Sequence, residues 1–125
     1  MEEKKIQESK DRQARKYNIT LNNPLSMVPP MTHPQIKEEI GKLGSVSYWC
    51  MADEIGLKEQ TPHTHIYLYS ASPIRFSTVK KRFPQGHIES AYGSSAENKD
   101  YILKAGKWKN TSKTETSIAG TEKRL

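Results

Sequence analysis

An α+β fold, an antiparallel sheet of about five strands with helices packed on one face, is predicted by three features of the sequence. Strand-period and helix-period stretches interleave in the order strand, helix, strand, strand, helix, strand, helix. These stretches are short and are separated by turns rich in Pro, Gly and Asn. The chain has 125 residues, of which 34% are hydrophobic and 27% charged, which suits one domain with a modest core rather than a disordered chain or a large interior.

The elements follow in order. Residues 16–22 (KYNITLN) alternate, with Tyr17, Ile19 and Leu21 on one face and Asn18, Thr20 and Asn22 on the other, as in a half-buried strand. Asn23-Pro24 and Pro29-Pro30 end it and open a loop. Thr32 or His33 caps a helix with Pro34 in its first turn, where a missing N–H costs little; the helix runs to about Leu43 and stops at Gly44. Residues 45–54 (SVSYWCMADE) and 63–71 (HTHIYLYSA) read as strands, and the polar turn between them makes an antiparallel hairpin. Residues 75–83 form a short helix ended by Pro84, and residues 87–91 form a further strand. Ser94-Ser95-Ala96-Glu97 resembles a capping box that opens a last helix, bearing Tyr101 and Lys104 and ending near Gly106. The sum is a ferredoxin/RRM-like arrangement. It divides the chain into a polar N-terminal arm (1–15), a folded domain (16–108) and a Thr- and Ser-rich polar tail or linker (109–125).

Composition narrows the function classes. No apolar run is long enough to span a bilayer, and the charged N-terminus has no apolar stretch of the secretory kind, so no membrane partner is expected. The single cysteine, Cys50, allows no internal disulfide, fits a reducing compartment and reads as a half-buried strand thiol. The net charge is +6, with the excess at the ends: residues 1–16 hold six Lys/Arg against four Asp/Glu, and residues 104–125 hold six against two. That suits a polyanionic partner but equally suits two solvated tails.

Two constellations carry chemistry. His63 and His65 are two apart on a strand and share a face, continued by Tyr67 and Tyr69, while Thr64, Ile66 and Leu68 turn to the core. On the preceding strand Glu54 shares the parity of Tyr48, Cys50 and Ala52, so it falls beside the His pair across the hairpin. Asp53 points away in a regular strand; a bulge would exchange the two acids, which makes Asp53 the reserve ligand. Two imidazoles and a carboxylate suit a divalent ion with open positions, Mn²⁺ or Mg²⁺, with zinc favoured by affinity. On its own the pair also suits an exposed polar strand face. The second constellation is Tyr101 and Lys104, i and i+3 on one helix face. A phenol near pKa 10 needs help to attack a phosphodiester, and a metal on the phosphate with a nearby lysine supplies it. A half-buried tyrosine beside a solvated lysine is the structural alternative. His33 reads as a helix-start residue and His87 as structural.

Taken together and in order, these stretches resemble the replication initiators of circular single-stranded DNA viruses (circovirus and geminivirus type) and of related bacterial plasmids, members of the HUH endonuclease superfamily. The resemblance rests on NITLNNP at 18–24, PHTHIYLY at 62–69, GHIESAYG at 86–93 and NKDYILKAG at 98–106, and spans about residues 16–108. It implies that His63, His65 and Glu54 bind Mn²⁺ or Mg²⁺, that Tyr101 is the nucleophile with Lys104 its helper, and that residues of the first stretch, Thr20, Asn22 and Asn23, touch DNA. Thr64 stands where the superfamily often has an apolar residue. The expected function is nicking and rejoining of single-stranded DNA at a replication origin. On this reading the sheet face with Tyr48, Tyr67 and Tyr69 receives the strand by base stacking, and Lys80, Lys81 and Arg82 reach phosphates or form a solvated helix end. No G-x-x-x-x-G-K-[ST] occurs, so a helicase domain, if one accompanies this unit, is missing from this chain. Bacterial cytoplasm is the expected location, with a host nucleus the alternative if the source is viral. The rival functions are a non-catalytic single-stranded nucleic-acid-binding domain, weakened by the lack of an RNP1-type pattern, and a structural domain with Tyr and His in its core.

Overall fold

A computed structural model describes residues 11–55, 61–103 and 113–116. Its strands are β1 (Gln13–Asn22), β2 (Val46–Ile55), β3 (Pro62–Arg75), β4 (His87–Ser90) and β5 (Lys113–Thr116). Its helices are α1 (His33–Gly41), α2 (Phe76–Arg82) and α3 (Ser95–Leu103). The strands form an antiparallel sheet in the order β4-β1-β3-β2-β5. The α+β class and the strand number are as predicted. No helix of the described residues is long and apolar enough to cross a membrane.

Local chemistry sets the boundaries. Thr32 caps α1, its Oγ1 accepting the Gln35 N–H at 3.3 Å, and Gly44 takes φ +85 just beyond the helix, a conformation costly for other residues. The capping box of α3 is reciprocal: the Ser94 N–H donates to Glu97 Oε1 at 2.9 Å, and the Glu97 N–H donates to Ser94 Oγ at 3.0 Å.

The alternation in β1 and β3 buries one sheet face. Tyr17, Ile19, Leu21, Met51, Ile66 and Leu68 pack there against Ile36 and Ile40 of α1 and Val79 of α2. Each fully buried aliphatic side chain in this layer stabilises the fold by roughly 2 kcal/mol. The sequence predicts all the helices on that face, but they do not all share it. α3 packs on the other side, where Ile102 and Ala91 join Tyr48, Cys50, Ala52 and Tyr67 in a second buried cluster. Tyr, Cys and Ala read as a half-exposed strand face, but they carry enough apolar surface to hold a helix. The segment read as a polar tail contributes β5, which pairs with β2 from Cys50↔Thr116 to Asp53↔Lys113. β1 begins at Gln13, inside the expected arm.

Candidate metal centre

β2 and β3 bring the ligand set together by register. Glu54 lies directly opposite His63, and Ala52 opposite His65. The irregularity in this ladder falls between Val46 and Tyr48, far from the acids, so strand parity holds where the ligands are. Glu54 Oε1 lies 3.2 Å from His65 Nε2 and 3.7 Å from His63 Nε2. One ligand atom from each of the three residues lies within 4.8 Å of the others, a spacing that fits a shared ion.

The electrostatics of this cluster suit a bound cation. Glu54 is 1% exposed, and among the described residues its Oε1 takes no hydrogen bond. Burial pushes its carboxyl up to about 7. Burial, followed by the charge of His63, pushes His65 down to about 4, so its imidazole is neutral at physiological pH. His63 Nδ1 lies 3.0 Å from the Thr61 carbonyl oxygen, which can only accept, so Nδ1 donates there and Nε2 is the ring nitrogen turned towards Glu54. Thr20 Oγ1 lies 3.3 Å from His65 Nδ1 and can set the same tautomer there. A divalent cation would supply what buried Oε1 lacks, so the residues fit the ion.

Asp53 is not a ligand. It projects to the opposite face, with Oδ1 2.8 Å from His33 Nε2 and 2.7 Å from Thr64 Oγ1. Thr20 and Asn22 of β1 stand in register with His65 and His63, on the metal face. Asn23 follows with φ 51, and its N–H donates to the Pro62 carbonyl at 2.8 Å, tying the first motif to the start of β3. Asn23, Leu25, His33, Glu54 and His63 line a cleft of about 410 Å³ at this end of the sheet.

Tyr101 lies on α3, the helix that packs against the sheet face bearing Glu54, His63 and His65; Lys104 lies outside the described residues. The expected DNA contacts at Tyr67 and at Lys80, Lys81 and Arg82 lie away from the open part of this face. Tyr67 is fully buried under α3, with its hydroxyl 2.8 Å from Ser95 Oγ, so it offers no ring for stacking. Tyr48 is equally buried. Lys80, Lys81 and Arg82 lie on α2, which packs on the face opposite the metal ligands: Lys80 Nζ donates to the Gly86 carbonyl at 3.0 Å, and Arg82 pairs with Glu39 at 3.4 Å. His87 and Glu89 were not singled out for the site, yet they share its face, opposite Thr20 and Asn18, and meet each other at 2.7 Å. Their alternation with Ile88 was the signal.

No family model matches the chain. It is 37% identical over 62 residues to the Replication-associated protein of human associated cyclovirus 1, covering 49% of this chain and 22% of that protein. It is 33% identical over 93 residues to the Replication-associated protein of beak and feather disease virus, covering 74% of this chain and 29% of that protein. The chain thus spans less than a third of the length of the curated relatives it matches.

Proposed function

From the chain's homology to circovirus-type Replication-associated proteins, we propose that it is the endonuclease domain of a rolling-circle replication initiator, cutting single-stranded origin DNA with Tyr101. The observation that carries this reading is the Glu54, His63, His65 cluster with its unsatisfied buried oxygen, on the sheet face over which the Tyr101 helix packs.

A divalent ion, Mn²⁺ or Mg²⁺, when bound supplies Lewis acidity to the non-bridging oxygens of a phosphodiester. Glu54, His63 and His65 would hold it, with Thr20 and the Thr61 carbonyl fixing the rings. The Tyr101 oxygen, its proton lost to solvent, bonds to phosphorus while the P–O3′ bond breaks and the departing oxygen takes up a proton. The products are a 5′-phosphotyrosine and a free 3′-OH. Lys104 offsets charge on the phosphate. The covalent link preserves the phosphodiester bond energy, so the reverse step rejoins ends without a nucleotide cofactor. The strand runs along the metal face past Thr20, Asn22 and Asn23. A helicase domain, as an additional part of a longer protein, would act on the duplex.

The test is cleavage of labelled single-stranded oligonucleotides carrying candidate origin sequences, with Mn²⁺ or with chelator. The expected products are a fragment that a polymerase extends and a partner blocked at its 5′ end. Retention of oligonucleotides without any metal-dependent cutting would replace this reading with a non-catalytic binding domain.

A further inference from the structure

The reverse side of the metal centre holds a second polar cluster. Asp53 precedes Glu54 in β2, and Thr64 lies between His63 and His65 in β3; the two are register partners. Asp53 Oδ1 sits 2.7 Å from Thr64 Oγ1 and 2.8 Å from His33 Nε2. A carboxylate only accepts, so Thr64 donates its hydroxyl proton and His33 donates from Nε2. His33 and Thr64 are buried, and Asp53 is half-buried. His33 is the first residue of α1. One oxygen atom therefore joins β2, β3 and α1 at a point one residue from each of the three ligands.

Position along the strands gives this junction its effect. Glu54 stands next to the last residue of β2, and His63 is the second residue of β3, so the ligands occupy the end of a two-strand ladder. Ladder ends open more readily than ladder centres. Neighbouring strand residues project to opposite faces of one rigid backbone, so fixing Asp53 and Thr64 from behind fixes Glu54, His63 and His65 in front. Hydrogen bonds to a charged group are stronger than those between neutral groups, and two of them on one oxygen can hold such an end closed.

We propose that His33, Asp53 and Thr64 are positioning residues that set metal affinity from the opposite face of the sheet. The proposal rests on the metal-centre reading above. Its function is mechanical: it holds the carboxylate and imidazoles at coordination spacing before the ion arrives, so that binding does not have to order the strand end.

The test is Mn²⁺ titration of the full chain, read by the electron paramagnetic resonance of free and bound Mn²⁺, beside thermal melting of the metal-free protein. His33→Ala and Thr64→Val, which leave Glu54, His63 and His65 in place, are each expected to weaken Mn²⁺ binding by about tenfold or more, the scale of lost support behind metal ligands. His33→Gln, which can present an N–H where Nε2 was, is expected to restore most of the affinity. A folded His33→Ala or Thr64→Val protein that binds Mn²⁺ as tightly as wild type overturns the proposal and leaves the metal centre standing. If His33→Ala melts below the assay temperature, Thr64→Val carries the test, because the two side chains have nearly the same shape. Failure of the wild-type chain to bind Mn²⁺ overturns the metal centre, and the positioning role with it.

Discussion

Glu54 is a buried carboxyl beside two imidazoles, and its proton decides the state of the site. Its folded pKa, raised to about 7, lies above its ordinary 4.5, so between these values the folded chain binds more protons there than the unfolded one, and stability falls as pH rises. His65 works the other way. Lowered to about 4 from 6.5, it leaves the folded chain with fewer protons over that interval, and stability rises with pH. The two slopes oppose from 4.5 to 6.5, so the metal-free protein is expected to show a nearly flat contribution from this pair. A Glu54→Gln variant should expose the His65 slope, gaining stability as pH climbs from 4 to 6.5 and exceeding wild type at pH 8 by up to about 3 kcal/mol. Denaturant midpoints across this range check it; a variant with the wild-type pH profile would contradict the assignment. Metal must displace the Glu54 proton, so Mn²⁺ affinity should fall by about tenfold between pH 8 and pH 6. Equal affinity at pH 6 and pH 8 by calorimetric titration would remove Glu54 from the ligand set. At this scale the grouping of Glu54 with the two histidines was legible, because strand parity put it on their face; the bulge that would have brought in Asp53 instead is absent from that part of the ladder. The partnership of His33 with Asp53 was not legible, since it joins residues 20 apart across two elements.

The strands were readable because their alternation is strong, and so was α3, because its capping box is local. What covers each face was not readable. A strand bearing Tyr48, Cys50 and Ala52 looks the same in sequence whether it meets water or a helix, and α3 offers few apolar residues to announce where it packs. The burial of Tyr67 has a measurable consequence. Tyr67→Phe removes the bond to Ser95 Oγ and should cost about 1 kcal/mol of stability, while single-stranded DNA affinity stays unchanged. A large loss of binding without loss of stability would return Tyr67 to the role of stacking platform. The start of α3 can be probed in the same way. Gly93 has φ +83, and an added Cβ there would meet Glu97 Oε1 at 2.7 Å, so Gly93→Ala combines backbone strain with a disturbed cap. A destabilisation of about 1–2 kcal/mol is expected in chemical denaturation, and a neutral effect would show that the turn tolerates a side chain.

Across the whole molecule, one antiparallel sheet separates two jobs. One face, under α1 and α2, is mostly apolar core; the other carries the polar ends of β1, β2 and β3 at one end and α3 beside them. The four residues of β5 close the β2 edge with a segment too polar and too short to be told from a linker in sequence. Because the ligands lie on two strands, a bound ion ties β2 to β3 and should stabilise the fold by mass action: Mn²⁺ at a hundred times its dissociation constant adds about 2.7 kcal/mol, reversed by chelator and lost in His63→Ala. On the proposed function, Tyr101 becomes covalently joined to DNA on this scaffold. The most direct measurement is incubation with a pool of single-stranded oligonucleotides and Mn²⁺, followed by a denaturing protein gel and mass spectrometry of the shifted band. A nucleotide adduct on Tyr101, absent with chelator and in Tyr101→Phe, is the predicted result; cleaved DNA with no adduct, or an equal adduct in Tyr101→Phe, would contradict it.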